Sequence, residues 1–267
     1  DRCHENYWRD SKNEFQLIYI QRIIAEYWGK DVPINSISTT RVFDWIKWMK
    51  EDRGYAPSTC NRHISVLKRC LDNAVDEGAL TSAPKFKRQS EKGRERLEFF
   101  TKEEEEAILK ELKRLNADYL HDYAIVAVDT GMRAGEVLKV DGSNLVKLEQ
   151  TREDGTPVYG AYIPDRKNGE PLLMPVTKRV EEILRKRKTF NEHVSKHRFI
   201  WDKVRENLGL MDKCWHSWRH TTATRLTSKK WDTANIMRYM GHKNIATTLK
   251  YAKWNTDTMV DGANLLE

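Results

Sequence analysis

The hydrophobic pattern of the first eighty residues predicts a small bundle of helices. Apolar residues recur with the i, i+3, i+4, i+7 spacing of one helix face in two stretches. These are Val42, Trp45, Ile46 and Met49, and then Ile64, Leu67, Leu71 and Ala74. The pair Pro57-Ser58 gives the second helix its start, and Gly78 gives it a stop. An earlier helix around Phe15 to Trp28 completes an all-helical domain.

After residue 98 the pattern predicts helices that are interrupted by a small sheet. Thr101 and Glu104 have the spacing of a capping box, which begins a helix that ends near Leu115. Three short strands follow, at residues 145–148, 158–163 and 172–176. The pair Asn168-Gly169 predicts a hairpin turn between the last two strands. Because the helical pattern then returns, we predict a mainly α chain with a small antiparallel β-sheet, an α+β fold.

Composition limits the class of protein. The 267 residues are 39% hydrophobic and 33% charged, which is enough apolar mass for two cores. No run approaches the roughly 18 apolar residues that span a bilayer, and the first residues lack a signal-peptide pattern. These features argue against a membrane protein and favour the cytoplasm. Because Cys3, Cys60, Cys70 and Cys214 lack CxxC spacing, we expect reduced thiols, no bound metal and no cofactor.

The net charge of +7 is concentrated in one short segment. Residues 81–97 carry six Lys or Arg against two Asp or Glu, with few large apolar residues. We interpret residues 84–97 as an exposed basic linker between domains at 1–83 and 98–267. This linker is either a solvated tether or a strap that contacts DNA phosphates. The candidate DNA-binding residues are Lys85, Lys87 and Arg88 in the linker, and Arg62, Ser65 and Arg69 on the polar face of the preceding helix.

Four short segments contain residue types that phosphoryl-transfer chemistry uses. They are TGMRAGE around Arg133, RKNGE around Lys167, HSWRH around His216 and Arg219, and GHKNIATTLKY, which ends at Tyr251. Each residue alone has an ordinary explanation, as an ion-pair partner, a helix cap, a turn lysine or a packed aromatic. In order and spacing, the four segments together resemble the catalytic signatures of the tyrosine recombinase, or phage integrase, family. The stretch APSTCNRHISVLKRCLDNAVDEGAL resembles the core-binding domain of that family.

The resemblance assigns a role to each matching residue. It places the catalytic roles on Arg133, Lys167, His216, Arg219, His242 and Tyr251, and a supporting role on Glu136. Tyr251 is the nucleophile in this assignment. Trp218 departs from the family, which commonly carries a small aliphatic residue between the histidine and the arginine. We expect Trp218 to alter the packing behind the site without inactivating the enzyme.

The chemistry of these side chains agrees with the assigned roles. Cleavage of a phosphodiester loads negative charge onto two non-bridging oxygens, and planar guanidinium groups bind such oxygens bidentately. A tyrosine hydroxyl with a pKa of about 10 needs a base or a cationic pocket, and His216 can accept its proton. Lys167, on a hairpin, can protonate the departing 5′ oxygen. His216 and Arg219 are three residues apart on a predicted helix and therefore share a face.

The resemblance implies a site-specific DNA recombinase, with integration of a phage or mobile element as the first choice. Cleavage leaves a 3′-phosphotyrosine and a free 5′ hydroxyl, and strand exchange passes through a four-way junction without ATP. The implied partners are duplex DNA with specific recombination sites, further copies in a homotetramer on paired sites, and DNA-bending accessory proteins. The two domains are expected to close around DNA, in the cytoplasm of a bacterial cell or a phage-infected host.

Three alternatives stay open on the sequence. A type IB topoisomerase-like relaxing enzyme uses related chemistry without pairing two sites. A non-catalytic DNA-binding regulator keeps the fold but has no need for Tyr251. A metal-dependent nuclease needs clustered carboxylates. The obvious cluster for it, Glu103 to Glu106, has the pattern of a helix first turn.

Overall fold

The computed structural model describes residues 2–91, 98–164, 166, 169–187 and 189–252. The chain divides into two compact units, Asp1–Glu95 and Arg96–Glu267. The predicted mainly helical fold with one small antiparallel sheet is confirmed. Among the described residues, no helix combines the length and the apolar character that crossing a bilayer requires. The assignment of DNA binding to residues 1–83 and catalysis to residues 98–267 stays a prediction.

The described part of the first unit is a bundle of helices. Its elements are α1 (Arg2–Tyr7), α2 (Glu14–Trp28), a 3₁₀ turn (Ile34–Ser36), α3 (Thr39–Glu51) and α4 (Pro57–Asp76). The Ser38 side chain caps α3 by accepting a hydrogen bond from Arg41 N at 3.3 Å. Pro57 lies in the first turn of α4, where a backbone N–H would have no helical partner. Gly78 follows the end of α4 with a φ of 74°, as its predicted stop requires.

The apolar stripes of α3 and α4 form the core of the first unit. Val42, Trp45, Met49 and Leu71 are fully buried. The ring of Trp28 packs near Trp45, with the centroids 6.3 Å apart. Burial of each such large apolar side chain contributes about 1.5–3 kcal/mol. The predicted helix faces are therefore the faces that hold the bundle together.

The start of the basic linker packs against the first unit, a contact that neither the tether nor the strap interpretation predicted. Phe86 packs against the core described above. The buried Asn61 of α4 donates from Nδ2 to Gln89 O at 2.9 Å, and Gln89 N donates to Asn61 Oδ1 at 2.7 Å. The sequence pattern missed this anchor because one Phe and one Asn produce no periodic signal. Residues 92–97 of the linker lie outside the described residues.

The second unit combines helices with a three-stranded sheet. Its described helices are α5 (Lys102–Arg114), α6 (Asp118–Thr130), α7 (Ala134–Val137), α8 (Lys178–Lys186), α9 (Arg198–Leu208), α10 (Ser217–Ser228), α11 (Thr233–Met240) and α12 (Ile245–Ala252). The strands β1 (Leu145–Thr151), β2 (Pro157–Ile163) and β3 (Leu172–Pro175) pair antiparallel in the order β1-β2-β3. Thr101 and Glu104 form the predicted capping box, with Thr101 N donating to Glu104 Oε2 at 2.8 Å.

The sheet buries one face. Ala161, Ile163 and Met174 are buried, whereas the intervening Tyr162 and Leu173 are exposed. Successive residues of a strand point to opposite faces, so the burial alternates although nearly all of these residues are apolar. The buried residues join the large core of the second unit.

Helix α6 runs through the centre of the second unit. Every residue from Tyr123 to Val128 is buried, so core residues cover the helix on more than one side. Gly131 ends α6 in the left-handed conformation, with a φ of 65°. A Cβ atom at Gly131 would lie 2.8 Å from Met240 Sδ, so the turn lies tightly against the end of α11. This close approach places the residues that follow Gly131 next to α11.

Trp218 supports α10 from inside the core, in agreement with the packing expected of it. It is almost fully buried, and its ring centroid lies 4.2 Å from that of Phe100. The backbone N of Phe100 donates to Thr221 Oγ1 of α10 at 2.8 Å. The extra bulk of Trp218 is therefore taken up by an aromatic cluster behind α10.

Candidate active site

Arg133 and Glu136 are locked together at the start of α7. Arg133 is the N-cap of this short helix, and its backbone N donates to Glu136 Oε2 at 2.9 Å. Its Nη1 donates to Glu136 Oε1 at 2.9 Å. About a third of the Arg133 side chain (32%) stays exposed, whereas Glu136 is buried. A buried carboxylate thus orients a guanidinium group that is still open to a ligand.

A second arginine, Arg166, shares the same carboxylate, although the family motifs give it no role. Arg166 Nε donates to Glu136 Oε1 at 3.1 Å, and the side chain is only 4% exposed. Its guanidinium group lies against Gly241, where a Cβ atom would clash with it. Arg166 therefore joins the end of β2 to the turn before α12. Lys167, the neighbouring candidate, and Asn168 of the predicted turn lie outside the described residues.

Glu136 is ionised in this setting. Burial alone would raise its pKa. The hydrogen bond from the Arg133 backbone and the charges of Arg166, Arg133 and Arg219 outweigh burial and hold the pKa of Glu136 below its usual value. One carboxylate consequently balances part of the charge of three arginines, which leaves a net positive site.

Arg219 holds the ends of two helices. Its Nη1 donates to Gly131 O, which caps α6, at 2.5 Å, and its Nη2 donates to Met240 O, at the end of α11, also at 2.5 Å. The residue is 3% exposed. Burial and the charge of Arg133 lower the pKa of Arg219 to about 10, so it stays cationic at neutral pH. The positive group thus lies where two negative helix ends converge.

The two predicted histidines occupy different environments. His216 is the N-cap of α10, and part of its side chain is exposed while the rest is covered by the site. Loss of hydration, then the charges of Arg219 and Arg133, lower the pKa of His216. His242 is buried, and its Nδ1 lies 2.8 Å from Thr248 Oγ1. Burial, followed by the charges of Arg219 and Arg133, lowers the pKa of His242 to about 4. Both rings are therefore neutral at pH 7.

Tyr251 lies in α12 and points into this group of residues. It is buried, and its ring stacks on that of His242 with a centroid distance of 6.5 Å and an interplanar angle of 7°. Its hydroxyl is 2.7 Å from Nδ1 of His220. His216 is the proton acceptor expected from the sequence, yet the ring in contact with the hydroxyl is that of His220. The signal was present, since His220 ends the HSWRH segment and follows His216 by one helical turn.

A cation-rich cavity opens beside these residues. Its volume is about 660 Å³, and its lining includes Arg166, Arg238, Lys243 and His242, with Glu170 as an acidic member. Such a lining favours an anionic ligand. The cavity touches the turn before α12 and the end of the β2–β3 connection, the two segments that Arg166 joins.

Two residues of the acidic cluster Glu103 to Glu106 form ion pairs. The buried Glu105 pairs with Arg225 and, at 3.0 Å, with Arg179. Glu104 pairs with Lys213. Within the described ranges, no group of three or more His, Cys, Asp or Glu residues is arranged to hold a metal ion. These carboxylates support the packing of α5 against its neighbours.

The candidate DNA-binding residues of the first unit lie on α4 and the segment after it. Arg88 Nη2 donates to Ser65 Oγ at 3.0 Å, which brings the linker and the α4 face together. Arg69 lies over the ring of Tyr7, 3.7 Å from its centroid. Arg62, Lys85 and Lys87 are exposed. The two predicted sets therefore meet at Arg88 and Ser65, and we call the exposed cations Arg62, Lys85, Lys87 and Arg88 the basic surface of the first unit.

Family models match most of the chain. The model of the phage integrase family matches residues 98–257, and that of the phage integrase SAM-like domain matches residues 12–88. None of the curated proteins matches this sequence.

Solved structures of similar fold include three DNA complexes. The Tn1549 transposon integrase with transposon right end DNA is 18% identical, with a TM-score of 0.71 over 94% of this chain and 92% of that one. The XerH site-specific recombinase in a post-cleavage complex is 15% identical, with a TM-score of 0.71 over 95% and 80%. A lambda integrase dimer bound to a core site is 19% identical, with a TM-score of 0.72 over 94% and 74%. At such low identity, the likeness concerns the fold.

The family matches and the geometry agree. The first family model covers more than half of the chain and contains the described site residues Arg133, His216, Arg219, His242 and Tyr251. The second covers most of the helical first unit. The chain therefore belongs to the phage integrase family of tyrosine recombinases, enzymes that cleave and rejoin DNA.

Proposed function

We propose that this enzyme is a site-specific recombinase in which Tyr251 attacks a DNA phosphate to form a 3′-phosphotyrosine. The observation that carries the proposal is the placement of the Tyr251 hydroxyl among histidines, next to the buried cation Arg219. Burial raises the pKa of Tyr251, and the charge of Arg219 opposes that rise. Energy of the broken phosphodiester bond is kept in the new one, so rejoining needs no ATP.

Arg133 and Arg219 bind the two non-bridging oxygens of the scissile phosphate in this proposal. Arg133 offers an open guanidinium edge, oriented by Glu136. Arg219 uses two of its N–H groups on helix ends, and its charge acts on the phosphate at short range. The neutral rings of His216 and His242 supply further hydrogen bonds. Lys167 protonates the leaving 5′ oxygen, a role that rests on the family motif.

The proposed substrate is duplex DNA with specific recombination sites. The basic surface of the first unit, with Arg62, Lys85, Lys87 and Arg88, fits a phosphate backbone. The related integrases and XerH were solved as DNA complexes. We infer a homotetramer on two paired sites, strand exchange through a four-way junction, help from DNA-bending proteins, and action in the cytoplasm, with phage or mobile-element integration as the role.

Two other functions have less support. A relaxing enzyme of the type IB topoisomerase kind shares the chemistry but has no need for the SAM-like domain that matches residues 12–88. A non-catalytic regulator has no need for a tyrosine that is buried beside two histidines.

The test is covalent trapping on a nicked suicide duplex, with the site found by sequencing junctions from a random site library. We expect Tyr251→Phe to abolish protein–DNA adducts and to leave site binding within a few-fold, because the hydroxyl supplies the attacking oxygen but little contact surface. Adducts that persist in the Phe variant would remove the proposal.

A further inference from the structure

His220 is the group in contact with the reacting oxygen. Its Nδ1 lies 2.7 Å from the Tyr251 hydroxyl, and the two ring centroids are 5.7 Å apart. The contact joins α10 to α12, which pack against each other. The family motif gives catalytic roles to His216 and His242, so the hydroxyl contact belongs to a residue with no role yet.

We propose that His220 is a further catalytic residue, the base that takes the proton of Tyr251 as the tyrosine attacks DNA. This inference rests on the proposed function, since it concerns the same reaction. It replaces the sequence-based expectation that His216 performs this step.

The proton balance of the step is complete. The Tyr251 oxygen forms a bond to phosphorus while the bond from phosphorus to the 5′ oxygen breaks. The phenol proton moves to His220 Nδ1, and the 5′ oxygen takes a proton from Lys167. In rejoining, the 5′ hydroxyl attacks the phosphotyrosine, Lys167 recovers its proton, and His220 returns the other to Tyr251.

Burial makes a local base necessary. Tyr251 is only 6% exposed, so bulk water has little access to its proton. The ring of His220 is held in a fixed place, packed edge-on against His216 at a centroid distance of 4.9 Å. A neutral imidazole that carries its proton on Nε2 accepts at Nδ1. Geometry therefore places an acceptor at hydrogen-bond distance from the proton to be removed.

The charges around His220 keep it in the accepting form. Burial first, and then the positive charges of Arg219 and Lys250, lower the pKa of His220 to about 4. Arg219 lies on α10 with it, His216 caps the start of that helix, and Lys250 and Tyr251 lie on α12. A bound phosphate adds negative charge, which favours the imidazolium that forms during cleavage. The ring is thus neutral before the reaction and stabilised as a cation during it.

The experiment compares two substitutions in the full-length chain. His220→Asn keeps a side-chain oxygen that can accept the Tyr251 hydrogen bond but takes up no proton. His220→Ala removes both abilities. Single-turnover adduct formation on the nicked duplex is expected to fall at least about 10²-fold in both variants. Site binding should change by no more than a few-fold.

A matched control uses another histidine whose Nδ1 accepts a hydrogen bond. His193 Nδ1 accepts from Ser195 N at 3.2 Å at the start of a 3₁₀ turn. His193→Asn should cleave within about two-fold of the unsubstituted enzyme, since Asn also serves as a cap.

Chemical rescue separates the base from a purely positioning residue. Imidazole added to His220→Ala should restore part of the cleavage, with a rate that rises with pH as free imidazole loses its proton. It should restore nothing to Tyr251→Phe. Cleavage by His220→Asn within about three-fold of the unsubstituted enzyme would overturn the proposal. If the Ala variant fails to bind DNA, the Asn variant decides.

The outcomes also separate the two proposals. Adducts in Tyr251→Phe would refute the proposed function itself. Absent adducts in that variant, together with full activity in His220→Asn, would refute only the role of His220.

Discussion

Arg133 and Arg219 each place a guanidinium group in the site, but their surroundings differ. Arg133 stands at the start of a helix, paired with a carboxylate and one-third exposed (32%). Arg219 is buried, and two backbone carbonyls at helix ends hold it. The first arginine is oriented for a ligand, whereas the second also completes the fold. Two arginines for which we propose the same catalytic role therefore have different structural roles.

Among these substitutions, Arg219→Ala should have the largest effect, because it should reduce both the cleavage rate and the stability of the fold. It should slow cleavage at least about 10²-fold, the scale of losing one preorganised donor. It should also lower the free energy of unfolding by about 2–5 kcal/mol, because two buried carbonyls lose charged donors. Adduct assays and urea denaturation measure the two effects. A variant that is inactive but fully stable would show that the two carbonyls do not depend on Arg219.

Arg133→Ala should separate the two effects. Cleavage should again fall at least about 10²-fold. The free energy of unfolding should change by no more than about 1 kcal/mol, since the partly exposed pair is lost while Glu136 keeps Arg166. Arg133→Lys should rescue poorly, because lysine keeps the charge but loses the fork. Near-normal cleavage by the lysine variant would contradict bidentate binding at this position.

Gly241→Ala tests the packing that joins Arg166 to the turn before α12. The added Cβ would meet the Arg166 guanidinium, so the free energy of unfolding should fall by about 1–3 kcal/mol. Gly209→Ala is the matched control, because Gly209 also caps a helix in the left-handed conformation but has no neighbouring atom within 4 Å of where its Cβ would lie.

Gly241→Ala should lower the free energy of unfolding more than Gly209→Ala does, and this difference is the steric part of the effect. This steric part should shrink when Gly241→Ala is combined with Arg166→Ala, as thermal melting of Gly241→Ala, Gly209→Ala, Arg166→Ala and the double variant would show. Equal effects at the two glycines would mean that Arg166 does not constrain the turn.

Substitutions on the basic surface of the first unit should have the smallest effect per residue, and the effect should be on DNA affinity. Replacing Lys85, Lys87 and Arg88 with Gln should weaken binding to specific and unrelated duplexes alike. The slope of log K against log salt should fall by up to about three units of roughly 0.9 each. Duplex titrations at several salt concentrations measure the slope, and thermal melting checks the fold. An unchanged slope would identify a solvated segment instead of a phosphate contact.

Local patterns made most of the fold predictable. The apolar stripes of α3 and α4 and the Thr101 capping box are short-range patterns, and each is present in the folded chain. Phe86 and Asn61 escaped prediction, because their contacts join segments that no periodicity links. The spacing of apolar residues was enough to predict the helices, whereas the contacts between the linker and α4 could be seen only in the folded structure.

The site was predictable as a set of residues but not as a set of contacts. Family order located Arg133, Arg219 and Tyr251. It did not show that Arg166 shares Glu136 with Arg133, since a salt bridge across 30 residues of sequence leaves no local trace. The hydrogen-bond partner of the Tyr251 hydroxyl was also not predicted, although His220 is the last residue of the HSWRH segment. Which ring nitrogen meets the hydroxyl depends on how α10 and α12 pack.

The hydrogen bonds of Arg219 to two helix ends affect the order in which such a chain can lose its catalytic residues during evolution. A lineage released from selection for DNA cleavage can lose the Tyr251 hydroxyl at a smaller structural cost, because a phenylalanine fills nearly the same space and only the hydrogen bond to His220 is lost. It cannot lose Arg219 as easily, since Gly131 O and Met240 O would be left without their buried donor. Descendants that only bind DNA should therefore discard the nucleophile first and keep this arginine longest.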